Sequence, residues 1–506
     1  MSRIARSTLL VAFFFGLEKI LGFARQVFIA RQFGLSSELD AFNAANNLPD
    51  LLFALISGGA LALAFIPVLS EYLEHNGRQP TWDLFSRIAN LVFLITASLS
   101  ILIALFANQI VGWRLGIAPG FTHPQQLLVA DLMRLNLIAT LLFSMGGLVI
   151  ASLQANQHFL LPALAPSMYD LGMFFGVLVL SPTKPYHFGP LTLPALGLGI
   201  HGLVYGVILG ALMFLGIQIP GLIRYQFRWT PAINLRHPGV RKVMLLMGPR
   251  VLTVFFIQLV FLVQDNIASR LVAGSVTALV YGWLFMQVPE TLIGTAIGTV
   301  LLPTLSEQVA RQDTEAFKQT LNYTLRVILS LTIPVAALLA LTIRPVVAIL
   351  GFDMVGTNMV TWTVRGYLLG LIGHSLIEVA ARSFYARQDA RTPLMASGLA
   401  TTVFIILALI LTQYLGAPGI GLSNSLAYIG EALFLWIMLS RRFPGLFQIK
   451  TTLLRVLPIT AASSLLAYAL IRLPLPALPL AGGVLVLCSL VVLPFIWSEI
   501  KLLIKL

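Results

Sequence analysis

Long apolar runs separated by short polar breaks set the pattern of this chain from its first residues. Read from break to break, the runs number about fourteen, each near or above the roughly 20 residues that a helix needs to cross a bilayer. The first covers 8–32, the second 39–71, the third 86–113, and the last two 453–472 and 478–503. Apolar residues are continuous within a run, which selects helices over the short alternating strands of a membrane barrel. The pattern therefore predicts an all-α polytopic membrane protein. Arg3 and Arg6 ahead of the first run resemble the start of a secretory signal. Glu18 and Lys19 break that run before any small-residue cleavage site, so the first helix is expected to be retained.

A repeat organises the runs. F-I-P-V-L-S-E-Y-L-E at 65–74 returns as L-L-P-T-L-S-E-Q-V-A at 301–310, I-A-R-Q-F-G at 29–34 as I-A-S-R-L-V-A-G at 267–274, and L-P-D-L-L at 48–52 as V-P-E-T-L at 288–292. The shift of about 240 residues makes helices one and two the counterparts of seven and eight, pointing the same way because six helices separate them. The expected division is a six-helix lobe at 1–222, a basic cytoplasmic linker at 223–242, a second six-helix lobe at 243–442, and two further helices at 443–506. Pro49 and Pro289 fall at matching places in the second helix of each lobe, where each removes a backbone donor and bends its helix. With Gly22 in helix one they are the candidate hinges. The spacings Gly202, Gly206, Gly210 and Gly294, Gly298 are read as sites where helix backbones approach closely.

Composition agrees with this reading. Of 506 residues 58% are hydrophobic and 10% charged, more apolar surface than a soluble chain can hide. A net charge of +13 would point to nucleic acid in a soluble protein. Here, with a cytoplasmic N-terminus, most Lys and Arg fall in cytoplasmic loops, the usual asymmetry of membrane proteins. No nucleic-acid partner is expected, and membrane lipids are. The densest basic stretch, Arg224, Arg228, Arg236, Arg241 and Lys242, also suits a surface of anionic headgroups. A single cysteine, Cys488, excludes an internal disulfide and a cysteine-based metal cluster. The chain has no H-E-x-x-H, no Walker A motif and no dinucleotide fingerprint, and G-H-S-L-I at 373–377 lacks the last glycine of a nucleophile elbow. Neither enzymatic activity, nor a cofactor, nor a metal is expected. A transporter without a nucleotide site draws on the membrane potential, worth about 2.3 kcal/mol per charge per 100 mV, or on the gradient of a monovalent ion.

Charge inside the bilayer costs at least about 2.5–3.5 kcal/mol per residue, so each ionisable group in a run needs a partner or water. The runs contain Glu18, Lys19, Arg25, Asp131, Arg134, Asp170, Arg250, Asp265, Glu290, Arg365 and Glu378, with His201 and His374 beside them. In helix one, Glu18 and Arg25 lie two turns apart on one line, and Lys19 with Gln26 form a second line about 100° away. Two readings are open: Glu18 pairs with Lys19 or Arg25 and ties helices together, or the surplus positive charge faces an anion in a hydrated cavity. The surplus favours the cavity, with Glu18 holding Arg25 when it is empty. Arg250 sits at the equivalent depth of helix seven, with Asp265 and Asn266 further along. Two such faces would enclose a basic cavity suited to a phosphorylated or carboxylated substrate. His374, Glu378 and Arg382, four apart on one face of helix ten, could relay a proton or hold a cation; a simple Glu378–Arg382 pair is the plainer alternative. Glu18, Asp265, His374 and Glu378 are thus the candidates for ion coupling or gating.

Several motifs in order, L-G-F-A-R-Q (21–26), D-A-F (40–42), L-P-D-L-L (48–52), A-F-I-P-V-L-S-E-Y (64–72), L-A-P-S (164–167), I-G-T-V-L-L-P-T-L-S (297–306) and F-Y-A-R-Q-D-A-R-T-P (384–393), resemble the MurJ/MviN family of lipid II flippases, within the multidrug/oligosaccharidyl-lipid/polysaccharide exporter superfamily. The resemblance implies fourteen helices, the last two forming a groove for a lipid tail, and alternating access that carries a pyrophosphate-linked sugar-peptide headgroup across the bacterial cytoplasmic membrane, with both termini cytoplasmic. It implies that Lys19, in the place of a family arginine, and Arg25 contact the headgroup. Asp40 matches an aspartate near the cavity portal, and Thr277 and Gln287 match polar positions in helix eight. Other cell-wall synthesis proteins are implied as partners. The chain departs from proteobacterial members in reading L-L-F-A-L-I-S-G-G at 51–59, where they have two arginines and a glutamate, and in having Trp283 and Leu284 in place of an Asp-Arg pair. Arg250, Arg270 or Arg365 would compensate, or the substrate would be another lipid-linked saccharide. Export of a different undecaprenyl-linked glycan or of a drug, and a non-transport scaffold for cell-wall enzymes, stand as the alternatives.

Overall fold

The computed structural model describes residues 3–56, 59–446 and 448–503, with side chains described for all of these except 3–12, 15, 59–64, 188, 191, 249–250 and 502–503. In chain order the α-helices are α1 Arg3–Phe33, α2 Ser37–Ile56, α3 Gly59–His75, α4 Arg78–Leu105, α5 Ala107–Gly112, α6 His123–Ala155, α7 Leu160–Phe175, α8 Gly199–Gly216, α9 Ile219–Arg224 and α10 Pro238–Ala268. They continue as α11 Ser275–Glu290, α12 Ala296–Ala310, α13 Thr314–Ala348, α14 Met354–Leu368, α15 Leu371–Ala386, α16 Arg391–Leu415, α17 Ala417–Arg442, α18 Lys450–Leu470 and α19 Ala477–Leu503. Single π-helical turns follow α7 at Gly176–Leu180 and α11 at Thr291–Thr295. The described strands are one antiparallel two-residue pair, His187–Phe188 with Leu191–Thr192, in the loop before α8.

Twelve continuous helical stretches among the described residues are long and apolar enough to cross a membrane. To these α1 and the consecutive α2 and α3 add the polar-rich segments predicted at 8–32 and 39–71, so the all-α polytopic architecture with about fourteen crossings holds. Boundaries differ where a helix runs on past its apolar core. The run predicted at 86–113 begins instead at Arg78 and breaks at Phe106. Trp82 and Phe85 in that extra turn are buried against Phe227, with Trp82 donating to the Tyr225 carbonyl at 3.0 Å.

The chain divides into two compact units, 1–273 and 274–506. In the first, α2 packs on α6, α1 on α7, and α7 on α8, while α10 packs on α2 and α3. Lys242 of α10 pairs with Glu71 of α3 at 2.5 Å. The α7–α8 approach is the closest kind the backbone allows. A Cβ at Gly172 would stand 2.3 Å from the Gly210 Cα, and one at Gly206 would stand 2.7 Å from the Gly176 Cα. The glycine spacing in α8 is therefore a packing face.

In the second unit, α14 and α15 pack on α17, and α18 with α19 packs on α13. The C-terminal pair is tied to α13 by Arg326, which reaches Glu499 Oε1 at 2.9 Å and Thr452 Oγ1 at 3.1 Å. Gln448 N donates to Asn322 Oδ1 at 3.3 Å beside it.

The repeat is visible in local structure. Pro49 lies inside α2 and Pro289 inside α11, and Pro67 and Pro303 lie inside α3 and α12. The paired glycines Gly34 and Gly274 both adopt positive φ, 62° and 87°. A second regularity was not anticipated. Gln157, Gln226, Gln312 and Gln388 are the non-glycine residues of the described chain with positive φ, at 56–59°. Each stands two residues beyond a helix end, and the residue after it donates back to a carbonyl five positions earlier: His158 to Leu153, Phe227 to Leu222, Asp313 to Gln308 and Asp389 to Phe384, at 2.8–3.0 Å. These are Schellman caps with glutamine in the place usually held by glycine.

Candidate functional site

Helix α1 places Glu18, Lys19, Gly22 and Arg25 on one polar flank. Lys19 Nζ lies 3.4 Å from Glu18 Oε2, and its side chain is 70% exposed. Arg25 turns away from this pair: its Nη1 donates to Asp170 Oδ1 of α7 at 2.6 Å, and its guanidinium covers the Tyr169 ring at 5.1 Å. The side chain of Asp170 is 2% exposed and that of Arg25 16%. The expectation that Glu18 holds Arg25 is thus corrected. The carboxylate that does so comes from the neighbouring helix, because α1 and α7 are packed side by side, which brings Asp170 to hydrogen-bonding distance. The charge count changes as well. Two acids now face two bases, so the surplus cation no longer demands a bound anion by itself. Lys19 is the member of this set most open to solvent. Gly22 faces only Glu18 Oε1, 3.9 Å from where its Cβ would stand, which is an ordinary contact.

Asp170 could have been suspected from sequence, since a carboxylate in the apolar run of α7 requires a partner and helix one had a cation to spare. The Arg25–Asp170 pair is also incompletely bonded. Arg25 Nε, Asp170 Oδ2 and the hydroxyl of Ser167, one turn earlier on α7, are buried without hydrogen-bond partners.

The acids further along the first unit are deep. Asp40 of α2 and Asp265 of α10 are both buried, and Asn47 Nδ2 donates to Asp265 Oδ2. Asn136 of α6 donates to Asn46, the neighbour of Asn47 in α2, at 2.7 Å. The proposed compensating residue Arg270 is tied to Asn266 Oδ1 at 3.2 Å and to the Arg114 carbonyl at 3.3 Å. The backbone of Arg250 belongs to α10, and its side chain lies outside the described residues. His201 and Asp131, each singled out in the runs but not coupled to one another there, form a pair at 3.0 Å between α8 and α6.

In the second unit, Thr277 is buried in α11 and Gln287 is exposed. The row on α15 is split between two environments. His374 Nε2 meets Asn424 Oδ1 of α17 at 3.1 Å, and its ring stacks on Tyr428 at 4.1 Å with the edge of Trp283 at 5.4 Å. Glu378 and Arg382 form an ion pair at 2.6 Å, the plainer of the two alternatives for this row. Arg365 is held by the Ala340 carbonyl at 2.7 Å and by the Trp362 ring at 4.6 Å. Glu290, at the end of α11, accepts from Thr295 Oγ1 at 3.2 and 3.3 Å.

The motif F-Y-A-R-Q-D-A-R-T-P forms the turn between α15 and α16. Asp389 accepts from Thr392 N at 3.1 Å, from Thr392 Oγ1 at 2.8 Å and from Arg442 Nη1 at 2.7 Å. Partial burial pushes its carboxyl upward, but these bonds and the charge of Arg442 outweigh that and hold it below the usual carboxylate range. The motif thus builds a helix junction, with Arg442 at the end of α17 locking the start of α16.

Comparison with known proteins covers nearly the whole chain. The family model described as Lipid II flippase MurJ matches residues 29–478. The lipid II flippase MurJ of Burkholderia cenocepacia is 30% identical over 456 residues, 88% of this chain and 84% of that one. The probable lipid II flippase MurJ of Vibrio cholerae serotype O1 is 28% identical over 442 residues, 85% and 82% of the two chains. Among solved structures, a lipid II flippase MurJ in an inward closed conformation superposes with a TM-score of 0.80 at 23% identity, covering 98% of this chain and 100% of that one. An inward-facing multidrug resistance MATE family transporter of the MOP superfamily gives 0.69 at 12% identity, covering 85% and 95%.

Proposed function

The chain belongs to the MurJ lipid II flippase family, and from that premise we propose that it carries lipid II from the inner to the outer leaflet of the cytoplasmic membrane by alternating access. The observation that carries this reading is the family match across 29–478, which takes in α2–α18 and ends at the start of α19. The protein is a multi-pass membrane protein with a lipid-linked substrate, working as a transporter and not as an enzyme.

The chemistry of helix one supports a division of labour. Lys19 presents an open ammonium, suited as a mobile point charge to the first encounter with a pyrophosphate. Arg25 is engaged by Asp170 at 2.6 Å, so a phosphate would have to replace one carboxylate oxygen with another anionic oxygen on the same guanidinium. Such an exchange is close to balanced in hydrogen bonds, which favours release as well as capture. Asp170 then acts as the counter-ion that Arg25 returns to after the headgroup leaves. Asp40, Thr277 and Gln287 serve as further headgroup contacts, and Gly22, Pro49 and Pro289 as hinges. The membrane potential or a monovalent ion supplies the energy, and both termini are cytoplasmic.

Complementation of a strain depleted of its own lipid II flippase tests the reading. Growth and cell shape are expected to recover with the wild-type chain. Failure to recover, with the protein present in the membrane, would overturn it.

A further inference from the structure

The repeat keeps one hydrogen bond in both units and changes what surrounds it. In the first unit Arg134 of α6 donates from Nε to the Ala104 carbonyl of α4 at 3.0 Å. In the second, Arg365 of α14 donates from Nε to the Ala340 carbonyl of α13 at 2.7 Å. Donor and acceptor are each shifted by about 230 residues, as the repeat requires. The same shift sets Asn108 against Arg344 and Asp131 against Trp362.

In the first unit the arginine has acceptors at hand. Its Nη2 donates to Asn108 Oδ1 at 3.2 Å, and Asp131 stands one turn before it on the same face of α6. In the second unit both acceptors are replaced. Arg344 carries donors only, and the indole of Trp362 lies 4.6 Å from the Arg365 guanidinium where the first unit has a carboxylate. Among the described residues neither Arg344 nor Arg365 forms an ion pair, and the side chain of Arg365 makes no hydrogen bond besides the one from Nε. Asp353, the acid between them in the chain, is engaged in capping α14 through Gly356 N at 2.8 Å.

The two guanidinium groups are gathered in one place. Arg344 stands one turn beyond Ala340 on α13, and helical side chains lean toward the N-terminus, so it lies back over the carbonyl that Arg365 holds. Its charge acts on Arg365. That place is on the outside of the unit. Thr363 and Tyr367 crowd Gly282 of α11, 2.8 and 2.7 Å from where its Cβ would stand, and so mark the inner face of α14. Arg365, two residues from each, points away from that face. Arg344 is exposed, and Trp362 is 58% exposed.

Arg365 lies about 16 Å along α14 from its start at Met354, inside a stretch long and apolar enough to cross the membrane. Its side chain leans back toward that start. Two cations beside lipid, with no anion from the protein, call for one from the membrane. Neighbouring guanidinium forks match the oxygens of a phosphate, and tryptophan is enriched at headgroup level.

We propose that Arg344, Trp362 and Arg365 bind the phosphate of an anionic phospholipid on the membrane face of the second unit, in the leaflet beside the α13–α14 loop. With the termini cytoplasmic, that is the outer leaflet. The site rests on no part of the flippase reading, so failed complementation leaves it standing.

The test is binding of a fluorescent short-chain phosphatidylglycerol to the delipidated full chain in neutral detergent, competed with unlabelled phosphatidylglycerol, phosphatidylcholine and inorganic phosphate. A saturable phase is expected that only unlabelled phosphatidylglycerol competes away. Arg344→Asn, which installs the residue of the first unit, should weaken it at least about tenfold, the worth of one hydrogen bond to a charged group. Trp362→Asp supplies the carboxylate from the protein itself and should weaken it as well. Arg114→Asn removes an exposed charge from the first unit and should leave binding unchanged. Where Arg344→Asn is not monodisperse, Trp362→Asp decides in its place. The proposal is overturned by a wild-type chain without a saturable phase, or by phosphatidylcholine or inorganic phosphate competing as well as phosphatidylglycerol. It is equally overturned by a folded Arg344→Asn or Trp362→Asp that binds as the wild type does, or by Arg114→Asn weakening binding as much as Arg344→Asn.

Discussion

Removing the carboxylate of Asp170 is the sharpest perturbation available in the first unit. Breaking one side of a buried ion pair costs roughly 3–5 kcal/mol, because the remaining charge is left without its partner. Both members are largely shielded, with 16% and 2% of their side chains exposed, so solvent screening removes little of this. Asp170→Asn keeps an acceptor for the Arg25 N–H, and a hydrogen bond to a charged group returns about 1.5–3 kcal/mol. The net expected loss is on the order of 1–3 kcal/mol, with Asp170→Leu nearer the full cost. Arg25→Gln strands Asp170 instead and should cost a comparable amount. The informative measurement is the double-mutant cycle, in which unfolding of purified protein in mixed micelles is followed for the wild type, Asp170→Asn, Arg25→Gln and the double variant. The double variant should lose at least about 1 kcal/mol less than the sum of the two singles. Additivity within about 0.5 kcal/mol would show that the two side chains do not act on each other, and the counter-ion role of Asp170 would fall with it.

Two further outcomes are expected. Gln157, Gln226, Gln312 and Gln388 are all exposed and hold φ at 56–59°, so replacing each by Gly should raise stability by roughly 0.5–1 kcal/mol by removing the left-handed penalty; a thermal midpoint unchanged or lowered in all four would contradict the strain argument. The depressed carboxyl of Asp389 contributes stability that is fully present above its unfolded value, about 3.9, and is lost as pH falls through the lower folded value. Thermal midpoints scanned from neutral to acid pH should therefore fall less steeply for Asp389→Asn than for the wild type, and equal slopes would rule out the Arg442–Asp389–Thr392 junction as their source.

The crossings were legible because a bilayer permits one solution for each long apolar run, and residue order alone reveals the run. The repeat was legible for a related reason. Prolines and glycines with fixed backbone demands, such as Pro49 with Pro289 and Gly34 with Gly274, mark equivalent turns in both copies. What escaped is whatever depends on which helix lies beside which. Asp170 was visible as a misplaced acid, but its pairing with Arg25 requires α7 to lie against α1, and no periodicity states that. The same holds for Asp265 and Asn47 across α10 and α2. The glutamine caps escaped for a different reason. Glutamine is a helix former with no preference for positive φ, so the cap is imposed by the fold of the turn.

Those four caps also bear on how the chain is made. They close the helical stretches that end at α6, α9, α12 and α15, every second crossing from the fourth to the tenth. Each is completed by hydrogen bonds reaching back no further than five residues. A nascent chain released into the bilayer as successive helical hairpins therefore has a finished terminus as soon as each hairpin is out. The carbonyls that the cap satisfies wait for no later segment, so the hairpins can be parked in lipid one at a time while the remainder is still being synthesised.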